Sequence, residues 1–235
     1  MEKEIKTLHE AVIVAIGRSP VTRARKGGLA QTHPVELGAQ VLTGTLKKLP
    51  QLDVHDIGDV VVGCAMPFED QGYNIARLIV ERAGLPDSVP GLTINRFCSS
   101  GLQSIALCAN AIMAGQEDIM IAGGIECMSA VKMGLDSKTF DPWLTENKEG
   151  AYMSMGDTAE NVAAKYGITR EQMDAAAVDS HKKAADAREK GLLNEYIIPI
   201  QTFFNDEKIT VTYDDGIRPD SSMESLSHLK PCFRE

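Results

Sequence analysis

The 235 residues carry 24 Lys and Arg against 33 Asp and Glu, a formal net charge of −9. That balance argues against a nucleic-acid surface, which needs a basic face to displace counterions, but leaves room for an anionic small molecule held by a few cations. With 43% hydrophobic residues the composition is globular, and no run approaches the roughly 18 apolar residues of a membrane span.

The N-terminal MEKEIKTLHE is charged and lacks the apolar stretch of a secretory signal, so a soluble, cytoplasmic protein is expected. AVIVAI (Ala11–Ile16) reads as a buried strand, and His33–Leu49 as a helix. Between them Arg23, Arg25 and Lys26 form a basic cluster, read as a solvated loop. Ile57–Ala65 is the next strand and a helix runs from about Tyr73 to Ala83. GLTIN and DIMIAGG then flank a helix with apolar residues at Leu102, Ile105, Ala109, Ile112 and Met113. Strands alternating with helices predict βαβ units, an α/β fold with a mixed, mostly parallel sheet and helices on both faces.

After Gly124 the pattern changes. Met128–Met155 is irregular and contains the only Trp, Trp143. One helix is expected over Asp157–Tyr166. A second starts at Thr169, which has capping-box spacing to Gln172, and ends near Gly191. YIIPIQTFFNDEKITVTYDDG reads as a hairpin turning at Asn205–Lys208. A boundary near residue 123 therefore divides an α/β domain, 1–122, from an α+β segment, 123–235.

The five cysteines, at 64, 98, 108, 127 and 232, show no Cys-x-x-Cys spacing. The odd count disfavours a disulfide framework, and the spacing disfavours a structural metal site. Cys98 stands where a strand gives way to a helix. Unpaired backbone N–H groups and the helix dipole favour negative charge there, and Ser99, Ser100 and Gly101 are small enough to admit a substrate. The alternative reading is a small buried hydrophobe. Cys64, Cys108 and Cys127 are read as structural.

NRFCSSGLQSI around Cys98 resembles the acyl-accepting segment of the thiolase family, and GGIECMS resembles its Gly-Gly-x-Glu-Ser-Met-Ser segment, with Cys127 in place of the serine that follows the glutamate. MSMGDTAENVAAKYGITREQMD and IRPDSSMESLSHLKPCF resemble the start and exit of the family's loop domain, and GRSPVTRARKGGLAQ and QGYNIARLIVERAGLP its N-terminal pattern. The NRFC form is closer to degradative 3-ketoacyl-CoA thiolases than to biosynthetic ones. The resemblance implies a thiolase N-terminal half with an inserted loop domain and no C-terminal half. It implies ping-pong acyl transfer through Cys98, with coenzyme A as substrate and no tightly bound cofactor. It places Met155 on the pantetheine path and Arg218 and Ser225 near the nucleotide end of CoA. Loop packing, a solvated charge and a helix-side hydroxyl are the respective alternatives. A homodimer or tetramer is implied by the resemblance alone.

The family's Gly-His-Pro, Cys-x-Gly and Asn-Glu-Ala-Phe segments are missing. None of His9, His33, His55, His181 and His228 lies in Gly-His-Pro, and His181 reads as solvated. These residues are therefore expected to need a C-terminal thiolase half and to be inactive alone. A non-catalytic acyl-CoA or lipid-binding protein and an inactive truncated product are the competing readings. A generic nucleotide-binding unit is disfavoured, because no Gly-x-Gly-x-x-Gly or Walker segment follows a predicted strand.

Overall fold

The computed structural model describes residues 9–131 and 137–234. The chain forms two compact units. The first comprises Met1–Lys132 and Glu195–Gly216, the second Met133–Asn194 and Ile217–Glu235. A single cut near residue 123 does not reproduce this division, because the hairpin after residue 195 returns to the first unit.

In the first unit, α1 (Pro34–Leu46) begins on a proline suited to a first helical turn, and the His33 ring accepts from Val35 N–H. Strand β1 (Asp59–Gly63) is followed by α2 (Ile75–Arg82), capped by Asn74, and by β2 (Gly91–Ile94). Helix α3 (Ser100–Met113) leads to β3 (Met120–Gly124). The three strands pair in parallel in the order β2-β1-β3, so β1 is central.

Side chains alternate along β1. Val60 and Val62 join Ile75, Ile79, Val80 and Leu42 in one core against α1 and α2. Gly63 faces the other way, against Ser100 at the start of α3. Helices therefore cover both faces of this sheet. Val60, Val61, Ile75 and Val80 are at most 1% exposed. Burying each such side chain contributes roughly 1.5–3 kcal/mol.

Strands β4 (Ile200–Phe204) and β5 (Glu207–Val211) form an antiparallel hairpin. Its turn is tighter than expected. Asn205 and Asp206 both have positive φ (50° and 64°), which is the two-residue turn that matches strand twist. Thr202 pairs its hydroxyl with that of Thr32 at 2.7 Å, both buried, and Gln40 of α1 bonds both backbone groups of Gln201.

Ala11–Ile16 is not a strand. Val12, Ile13 and Val14 are 64%, 71% and 71% exposed. An apolar run becomes a strand only where its backbone finds a ladder. Here the bonds lie at its two ends, from His9 N–H to Met113 O and between Arg18 and the Tyr196–Ile198 segment.

The second unit contains α4 (Pro142–Asn147), α5 (Met155–Tyr166), α6 (Arg170–Glu189) and α7 (Met223–Ser227). Part of the stretch read as irregular, 132–136, lies outside the described residues; α4 and its Asp141 cap occupy another part. Gly167, in the left-handed region at φ 64°, closes α5. Thr169 and Gln172 then make the reciprocal capping box of α6. Arg170 ties α6 to α7 by donating to the carbonyls of Leu226 and Leu229.

Candidate active site

Cys98 lies on the turn from β2 to α3 and is exposed. The turn is strained. Phe97 has φ 46°, a region that residues with a Cβ rarely adopt, at a cost of order 1–3 kcal/mol. Short local bonds over-determine it. Asn95 Oδ1 accepts from Phe97 N–H at 2.8 Å, and Ser100 Oγ accepts from Arg96 N–H at 2.8 Å. The same Ser100 hydroxyl donates to Phe97 O at 2.6 Å, and Ser99 Oγ donates to Arg96 O at 2.9 Å.

Ser99 is the N-cap of α3, but its hydroxyl turns back to the loop and makes no capping bond to the helix. A Cβ added at Gly101 would meet nothing within 4 Å, so the space over the first helical turn is open. An exposed thiol thus sits beside helix-start N–H groups that no side chain caps. That arrangement suits a negative sulfur and a developing oxyanion. Below it, a Cβ at Gly63 would come within 2.5 Å of the Ser100 carbonyl carbon, so glycine is what lets α3 start this close to the sheet.

The other cysteines of the first unit are buried. Burial, and then the Glu126 carboxylate, push the Cys64 thiol up, partly opposed by a backbone bond at Met66. Burial, and then Asp59, push Cys108 up to about 11. Cys127 points its sulfur at Thr32 O, 3.8 Å away. These surroundings suit inert packing thiols.

Met155, Arg218 and Ser225 belong to the second unit. Met155 opens α5 and is 68% exposed. Arg218 is exposed, with its backbone N–H donating to His181 Nδ1 at 3.2 Å. His181 is therefore half-buried and hydrogen-bonded rather than solvated, because the return segment folds onto α6. Ser225 is exposed and forms the capping box of α7 with Ser222, so its hydroxyl has a structural use. Among the described residues no group of three or more His, Cys, Asp and Glu could hold a metal, and no helix is long and apolar enough to cross a membrane.

Gln71 and Glu126, members of the segments QGYNIARLIVERAGLP and GGIECMS with no role assigned from sequence, come together where the loops after β1 and β3 meet. Gln71 is fully buried, donates to Glu126 Oε1 at 2.7 Å and Met66 O at 2.9 Å, and accepts from Cys127 N–H. Only their three-dimensional convergence reveals the link.

The family model for the thiolase N-terminal domain matches residues 11–235. A 3-ketoacyl-CoA thiolase of Bacillus subtilis is 43% identical over 235 residues, covering 96% of this chain and 60% of that protein. The peroxisomal 3-ketoacyl-CoA thiolase 2 of Arabidopsis thaliana is 39% identical, with 96% of this chain and 50% of that one covered. The crystal structure of the Bacillus anthracis acetyl-CoA acetyltransferase superposes with a TM-score of 0.86 at 34% identity, over 97% of this chain and 60% of that one. The chain thus spans between half and three-fifths of these relatives' length. A parallel sheet flanked by helices, an exposed cysteine at the start of α3 and matches in family model, sequence and structure agree: the chain belongs to the thiolase family and corresponds to its N-terminal portion.

Proposed function

We propose that this chain supplies the nucleophile half of a 3-ketoacyl-CoA thiolase, acting through an acyl-Cys98 intermediate. The observation that carries the reading is the exposed Cys98 thiol on its strained turn, beside the uncapped start of α3. The Cys98 thiolate attacks the 3-keto carbon of a 3-ketoacyl-CoA, forming the S–C bond and a tetrahedral oxyanion. Collapse breaks the C2–C3 bond, the acyl group stays on sulfur, and acetyl-CoA leaves once its carbanion is protonated. A second CoA thiol, deprotonated by a base, attacks the thioester. It carries off an acyl-CoA two carbons shorter and restores the Cys98 thiolate. The reverse Claisen condensation uses the same intermediate.

Coenzyme A is a substrate in this scheme, with no tightly bound cofactor. Met155 lines the pantetheine path, and Arg218 and Ser225 lie toward the nucleotide end. The base and the proton donor come from a C-terminal thiolase half, so these residues alone do not turn over. Large exposed apolar side chains on the first unit (Val12, Ile13, Val14, and Leu102 of α3 at 72%) support the need for such a partner surface. The assembly is a homo-oligomer working in fatty-acid degradation in the cytoplasm.

The test is complementation. The chain is mixed with a C-terminal thiolase half, and CoA-dependent loss of acetoacetyl-CoA is followed. Turnover that requires both halves and vanishes with Cys98→Ser supports the reading. Saturable acyl-CoA binding with no turnover and no adduct would assign a binding module instead.

A further inference from the structure

We infer that Gln71 and Glu126, acting through Asn95, are positioning residues for the Cys98 turn. The inference rests on the reading of Cys98 as nucleophile, because the turn they hold is the one that presents it. The connection is a continuous chain of hydrogen bonds. Gln71, 0% exposed, uses its amide oxygen to accept from Cys127 N–H and its amide nitrogen to donate to Met66 O and to Glu126 Oε1. Glu126 Oε2 accepts from Ala65 N–H at 2.8 Å. Asn95 Nδ2 then donates to the carbonyl of that same Ala65 at 3.1 Å, while Asn95 Oδ1 accepts from Phe97 N–H.

The loop after β1, the loop after β3 and the loop after β2 are therefore locked to one another at the end of the sheet where Cys98 emerges. The partners are matched group for group. Glu126 uses its two oxygens on two different donors, which only a carboxylate can do. Gln71 uses both faces of its amide, which neither Glu nor a hydrocarbon can reproduce. Only Gln71 of the three is buried; Glu126 and Asn95 are exposed, and the network rigidifies its surroundings through the loops that its hydrogen bonds tie together. Here what it rigidifies is a backbone outlier, Phe97 at φ 46°, next to the thiol. Strain at that residue persists only while the surroundings over-determine it.

The test uses the full chain and its own cysteines. Iodoacetamide labelling is read at each cysteine by peptide mass, and the Cys98 rate is divided by that of Cys232, an exposed thiol of the other unit. Glu126→Gln leaves a donor facing a donor, and Gln71→Met removes the clamp without changing charge. Each is expected to lower the Cys98:Cys232 ratio about two- to fivefold, as the thiol loses its place at the helix start. Removing the Glu126 charge by itself would favour a thiolate, so a fall in that variant cannot be a charge effect. In an Asn95→Ala background Glu126→Gln should change nothing further, because the link is already cut.

A ratio unchanged in both single variants overturns the inference. So does labelling of buried Cys64, Cys108 and Cys127 in step with the fall, which would mean that the clamp only maintains the fold. Acetylation of Cys98 by acetyl-CoA in the unsubstituted chain is scored separately. A missing adduct with a reduced ratio in the variants refutes the acyl reading and leaves the positioning role standing.

Discussion

Gly63→Ala places one methyl group in the seam between the sheet and the start of α3. The new Cβ would lie 2.5 Å from the Ser100 carbonyl carbon, 2.6 Å from Ser100 Cβ and 2.8 Å from Gly101 N. Two of these atoms are backbone, so no rotamer change relieves the clash, and the first turn of α3 must retreat by roughly 1 Å to reach ordinary contact. Overpacking of this kind costs about 1–3 kcal/mol. For a chain of this size that corresponds to a fall in melting temperature of about 2–12 °C. The retreat carries Cys98 with it, and a misplacement of that size costs an oriented reaction up to about 100-fold. Gly124 on neighbouring β3 is the control. Its added Cβ would meet Gly63 O at 3.5 Å and Gly101 Cα at 3.6 Å, ordinary contacts. Thermal melts and the rate of Cys98 acetylation from acetyl-CoA are measured on both variants. Gly63→Ala should lose stability and acetylation rate while Gly124→Ala keeps both. Equal behaviour of the two would refute the account of how α3 is seated.

The remaining expectations concern the buried groups of the first unit. Thr202→Val strands the buried Thr32 hydroxyl and should cost about 1–3 kcal/mol in urea unfolding, whereas the double Thr32→Val/Thr202→Val should regain most of it; equal losses in single and double variants would contradict the pairing. Cys108 ordinarily titrates at 9.0 but in the fold only at about 11. As pH rises through that window the unfolded chain gives up the proton first, so the stability this thiol contributes is whole below pH 9 and drains away toward 11. Alkaline melts should therefore steepen between these values, and Cys108→Ala should flatten the slope.

Much of this architecture was legible from pattern. The run IGDVVVG, apolar on both faces, announced a buried strand, and β1 is that strand, covered by helices on both faces; its central place between β2 and β3 was not legible from the run itself. Thr169 and Gln172 announced a helix start that the structure forms bond for bond. AVIVAI misled because hydrophobicity reports what a segment would bury, while a strand also needs a ladder, and none is formed there among the described residues. The hairpin read correctly as a hairpin, but its return to the first unit rests on contacts such as Thr32 with Thr202, which are 170 residues apart and leave no local signal. At the site, Cys98 was visible through its junction and motif. Gln71, Glu126 and Asn95 stand in the segments QGYNIARLIVERAGLP, GGIECMS and NRFCSSGLQSI, but their joint role was not legible, since three polar residues on three separate loops become linked only when the sheet brings those loops to one end.

The central claim is that Cys98 carries the acyl group. Its most direct test is the mass of the chain after incubation with acetyl-CoA or acetoacetyl-CoA, with and without a C-terminal thiolase half, followed by peptide mapping. The account predicts one added acyl group, located on Cys98 and absent from Cys98→Ser. No adduct even with the C-terminal half present, or an adduct that persists in Cys98→Ser, would contradict it.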